Sequence, residues 1–132
     1  MGPGNPIALD TGALTRDQID LILRHLPGEV TFVDEHDVVR YYSDPKHRLF
    51  SRTPDILGKS VQSCHKPESV PAVNRILEAF RAGTQEFVDL PATKDGRRVH
   101  VRYVALRDGS GRYRGCLEIA QDAAALDPAP PA

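Results

Sequence analysis

The sequence predicts an α+β domain, a five-stranded antiparallel sheet with helices on one face and an N-terminal helix flanking it. Three observations carry this expectation. Two alternating apolar segments, Glu29–Asp34 (EVTFVD) and Val38–Ser43 (VVRYYS), flank a short polar turn. A long amphipathic stretch ending at Ala82 follows, with Val70, Val73, Ile76, Leu77 and Phe80 at helical spacing. Three more strand-like segments, Gln85–Leu90, Arg98–Leu106 and Arg112–Gln121, then close the chain. Two strands separated from three by helices give an antiparallel sheet with the helices gathered on one face.

The 132 residues suffice for one core. Seventeen basic against 18 acidic side chains leave a net charge of −1, which gives no basic footprint for nucleic acid. Two distant cysteines, Cys64 and Cys116, form no disulfide framework and suggest a reduced, cytoplasmic setting. The N-terminal MGPGNPIALDTG has neither the basic nor the apolar region of a signal peptide. No apolar run reaches the length of a membrane span.

Residues 1–14 read as a loose tail. Thr15 and Gln18 then form a capping box, opening a helix over 15–27 that Pro27-Gly28 ends. Its face of Ile19, Ile22, Leu23 and Leu26 requires burial, on the sheet or on a second copy of the chain, and a homodimer through this helix is the expectation. Glu35-His36-Asp37 turns the first strand into the second. Short helical turns are expected around Lys46–Phe50 and Pro54–Leu57. Ser69 is placed as cap of the long helix, Pro71 sits in its first turn, and Gly83 stops it.

Centring the last hairpin on Gly109-Ser110-Gly111 sets Arg102 opposite Glu118 and Tyr103 opposite Leu117. One face then carries Val99, Val101, Tyr103, Leu117 and Ile119, and the other His100, Arg102, Val104, Cys116, Glu118 and Ala120. The N-terminal helix is the expected cover for that second face. Residues 123–132 read as a second loose tail, leaving one domain over 15–122.

Three stretches carry a resemblance: LPGEVTFVDEHDVVRYYS, RLFSRTPDILGKSVQSCHKPESV and VRYVALRDGSGRYRGCLEIAQD. They resemble the PAS modules found with hemerythrin-like domains in bacteria, over roughly residues 20–122. The resemblance implies a PAS fold with a cavity between the long helix and the sheet. It extends to small stand-alone haem proteins of this type, the N-nitroglycine lyases. The absence of a kinase, cyclase or DNA-binding segment in the chain agrees with a self-contained activity of that kind. The alternative is a non-catalytic sensor or dimerisation module that binds haem or another small ligand.

Cys64-His65, just before the long helix, is the candidate site. Structural zinc needs four nitrogen or sulfur ligands, and adjacent residues chelate poorly. A b-type haem needs one axial ligand, an apolar slot and a cation near its propionates. The resemblance places His65 as the iron ligand and lines the slot with Val70, Val73, Leu77, Val101, Tyr103, Leu117 and Ile119. Cys64 is read as packing. The absence of CxxCH argues against covalent attachment. A substrate carboxylate calls for a cation, with Arg48, Arg52, Lys59 and Arg102 as candidates. No GxSxG, phosphate loop or HExxH is present.

Overall fold

The structure, a computed structural model, describes residues 4–44 and 49–126. Its main sheet joins β3 (Glu29–Asp34), β4 (Val39–Tyr42), β5 (Phe87–Lys94), β6 (Arg97–Arg107) and β7 (Tyr113–Asp122). All neighbours run antiparallel, in the spatial order β4-β3-β7-β6-β5. The helices lie on one face, as expected. Residues 7–14, read as tail from their sequence, instead pair as a two-stranded ribbon, β1 (Ile7–Leu9) with β2 (Gly12–Leu14).

The β3–β4 turn is locally encoded. Asp34 Oδ1 accepts from the backbone N–H groups of His36 (2.9 Å) and Val38 (3.1 Å), and Asp37 takes a left-handed conformation at φ 64°. The long helix α2 (Val70–Ala82) ends on Gly83, as its sequence predicts. Its entry differs. Ser69 has a helical backbone and makes no capping bond, because the 3₁₀ turn Pro67–Ser69 leads directly into the helix. From α2, Leu77 and Phe80 are buried against Val33, Val39, Ala105 and Cys116. A second cluster, Val99, Val101 and Ala120, packs with Leu49 and Phe50.

Helix α1 (Arg16–Arg24) has the expected capping box: Gln18 N–H donates to Thr15 Oγ1 at 3.1 Å, and Thr15 N–H to Gln18 Oε1 at 2.9 Å. The expected seat on the hairpin face is not sealed. No residue of α1 is buried, and Ile22 is 49% exposed. Strand β5 also runs further than its sequence suggests, through Pro91 to Lys94. Proline is tolerated there because β5 is an edge strand.

The largest correction concerns the last hairpin. Next to the turn, Arg107 pairs with Tyr113, the register expected from centring on Gly109-Ser110-Gly111. Leu106 then pairs with Gly115, so Arg114 is an extra residue and β7 is bulged. Beyond the bulge every pair moves by one: Tyr103 faces Glu118, Arg102 faces Ile119, and Val104 faces Leu117. The slip exchanges the faces of β7. Cys116, Glu118 and Ala120 therefore join Val99, Val101 and Tyr103, whereas Leu117 and Ile119 leave that face. The expected Arg102–Glu118 pair does not form. Arg102 pairs with Asp89 instead, through two bonds of 2.7 and 2.8 Å.

Candidate functional site

A cavity of about 540 Å³ lies between the sheet and the helical segments 54–82. That is within the range of small-ligand pockets. Val33, Val101 and Tyr103 contribute to its sheet wall, and Val61, Val73 and Leu77 to its helical wall. Phe50, Ser51 and Arg52 close one side. Glu29, buried at the start of β3, fixes that loop: its carboxylate accepts from the backbone N–H groups of Leu49 and Phe50, both at 2.8 Å.

His65 sits on the helical wall, directly after the 3₁₀ turn Val61–Cys64. Its Nδ1 lies 2.9 Å from the Val61 carbonyl oxygen. A carbonyl only accepts, so Nδ1 carries the hydrogen and donates it. In the neutral ring, Nε2 is then left with its lone pair for a ligand. Such a backbone bond is the usual outer partner of a metal-binding imidazole. Among the described residues there is no cluster of three or more His, Cys, Asp or Glu side chains that could hold a metal ion by themselves. A haem iron, held already by its porphyrin, needs only one such protein donor.

A charged pair joins the sheet wall to the closing loop. Arg52 Nη2 lies 3.2 Å from Glu118 Oε1, with the two side chains 23% and 13% exposed. Arg52 Nη1 also donates to the Ser51 carbonyl at 3.0 Å, and the guanidinium lies 5.8 Å from the Phe50 ring centroid. Burial, reinforced by the charge of Glu118 and a hydrogen bond to it, pushes the Tyr103 phenol above the ordinary tyrosine range. Burial pushes the Cys116 thiol up to about 12, so at neutral pH it is a packed thiol rather than a nucleophile.

The structure distributes the sequence-predicted residues unevenly. His65, Val73, Leu77, Val101 and Tyr103 line the cavity, together with Arg52. Val70 does not, and Leu117 and Ile119 lie on the opposite face of β7 because of the bulge. Of the other cations, Arg102 is held by Asp89 on the outer face, Lys59 is exposed and away from the cavity, and Arg48 falls outside the described residues. Cys64, read as packing, borders the cavity as well but is exposed, with its Sγ 3.5 Å from the Ser60 carbonyl oxygen.

Glu118, Glu29, Phe50 and Cys116 enter the site without having been singled out for it. Glu118 carried a signal, as the one charge in the apolar run CLEIA, but the unbulged register turned it outward. Glu29 carried none, since a carboxylate opening a strand reads as a solvated end.

A family model described as PAS domain matches residues 19–124. The C-terminal domain of a Streptococcus mutans protein is 35% identical with a TM-score of 0.84, covering 93% of this chain and 98% of that one. A sensory box sensor histidine kinase from Vibrio cholerae is 12% identical with a TM-score of 0.57, covering 81% and 90%. The Vibrio cholerae VqmA dimer, described as a LuxR-type receptor, is 22% identical with a TM-score of 0.57, covering 83% and 52%. No curated protein matches the chain.

Proposed function

This chain belongs to the PAS domain family, and from that premise we propose that it is a ligand-binding module whose cavity takes haem b on His65. One observation carries the reading: the Nδ1–H of His65 is committed to the Val61 carbonyl, leaving Nε2 as the donor of a residue that lines an apolar cavity. The other residues fit the group. Val33, Val73, Leu77 and Val101 supply apolar walls, while Arg52 and Lys66 are cations at the cavity for the propionates. When bound, haem would supply redox and small-ligand chemistry at its iron. The chain's own part is to present Nε2, fix the ring through Val61 and shield the pocket from water.

The test is titration of the purified chain with haem. We expect a saturable Soret band at one haem per chain, and its absence would overturn the reading. A narrower activity, lysis of a nitramine such as N-nitroglycine, is supported by the sequence resemblance and by the presence of Arg52 at the cavity to receive a carboxylate. Nitrite release by the reduced, haem-loaded chain under anaerobic conditions is its expected sign. Without it, sensing is the remaining role, in keeping with the sensor histidine kinase among the structural neighbours.

Homodimerisation through α1 belongs to the same proposal. The face of Ile19, Ile22, Leu23 and Leu26 is not sealed by the other described residues, and the VqmA neighbour is described as a dimer. Ile22→Asp combined with Leu23→Asp should convert a dimer to a monomer in light scattering. A wild-type chain that is already monomeric at micromolar concentration would refute the interface.

A further inference from the structure

We propose that the Arg52–Glu118 pair, with Tyr103 beside it, recognises a small zwitterion whose carboxylate and ammonium sit on neighbouring atoms, as in an α-amino acid. This rests on the cavity being the ligand site, but not on haem: His65 is on the helical wall, whereas Glu118 and Tyr103 belong to the sheet.

The pair is not needed to hold its loop down, because Glu29 already does so through two backbone bonds. It also has unused hydrogen-bonding capacity. A guanidinium has five N–H donors, and Arg52 spends one on Glu118 and one on Ser51. Among the described residues no partner takes the others. An ionised carboxylate offers about four acceptor positions, of which Arg52 uses one. Donors and acceptors thus stand side by side where the closing loop meets the sheet wall. Burial keeps the neighbouring Tyr103 a neutral phenol, so it adds no charge of its own beside Glu118.

Charge balance selects the ligand class. The pair is neutral as it stands and mostly withdrawn from water. A simple anion drawn to Arg52 would lie against the Glu118 carboxylate with nothing on the sheet side to offset it, since the other cation at the cavity, Lys66, belongs to the helical segment, and a simple cation on Glu118 would lie likewise against the Arg52 guanidinium. A zwitterion adds both charges at once. Its carboxylate takes the free edge of Arg52, its ammonium takes the free lone pairs of Glu118, and the four charges alternate. The apolar surface of Val33, Leu77 and Val101 is left for a hydrocarbon side chain.

Calorimetric titration of the haem-free full chain with each of the common α-amino acids tests this. At least one should bind. The matching carboxylic acid without the amine, and the matching amine without the carboxylate, should each bind at least about tenfold more weakly. Glu118→Gln leaves Arg52 uncompensated and should reverse the preference, the plain carboxylic acid then outbinding the amino acid. Arg52→Met should shift the preference to the amine, while Arg52→Lys, which keeps the charge, should retain the original order. A merely structural role would weaken all three ligands alike, and that result overturns the proposal. So does failure of every amino acid to bind the folded wild-type chain. Haem titration of the same preparation separates the two ideas, since missing haem uptake counts against His65 alone.

Discussion

Replacing His65 with alanine is expected to weaken haem binding by more than about a hundredfold, because even the outer partners of metal ligands are worth ten- to a hundredfold. The Soret band of any residual complex should shift, and added imidazole should restore it by filling the space left by the ring. His65→Ala should keep its circular dichroism. The ring is only half-buried, and its one hydrogen bond goes to the Val61 carbonyl within a 3₁₀ turn that has its own backbone bonds. Cys64→Ser is the control. Cys64 also borders the cavity, but its thiol is exposed and bonded to the Ser60 carbonyl, and serine keeps that bond and the side chain's size, so the substitution should leave the spectrum unchanged. An unaltered spectrum in His65→Ala would remove His65 as the iron ligand.

His65 could be singled out from sequence because its surroundings are local. The short turn, the prolines and the amphipathic helix lie within twenty residues of it, and local geometry follows from local residues. The same holds for the capping box at Thr15 and for β3, whose limits the sequence anticipated. The polar half of the site was hidden for the opposite reason. Arg52 and Glu118 are 66 residues apart, and Glu29 meets Phe50 across 21. Which side of the sheet Glu118 occupies depends on a single residue, Arg114, added to β7. An alternating pattern with apolar residues on both faces cannot reveal that addition. Leu117 and Ile119 are as apolar as Cys116 and Ala120, so hydrophobicity alone does not choose between the registers.

Gly115 is what makes the bulge possible, and Gly115→Val should destabilise the fold by about 2–6 kcal/mol. Two costs combine. The residue sits at φ 147°, which a β-branched side chain adopts only under strain of about 1–3 kcal/mol. A Cβ there would also lie 2.4 Å from the Val33 carbonyl oxygen and 2.8 Å from Phe32 Cε1. Relieving that clash forces β7 away from β3 at the centre of the sheet, an overpacking cost of a further 1–3 kcal/mol, roughly. Urea unfolding is the measurement, with the expected change in the midpoint. Gly111→Ala is the matched comparison. It too has positive φ (86°), but no atom lies within 4 Å of its Cβ position, so only the conformational cost of about 1 kcal/mol remains. Equal losses at the two positions would show that strain alone matters and that the close approach to Val33 does not. A larger loss at Gly115 carries a functional consequence as well. The bulge turns Glu118 and Cys116 toward the cavity, so a chain that escapes the clash by regularising β7 would present Leu117 and Ile119 in their place. Such a variant should lose the charge-dependent ligand preference at Arg52 while keeping His65 and its bond to Val61.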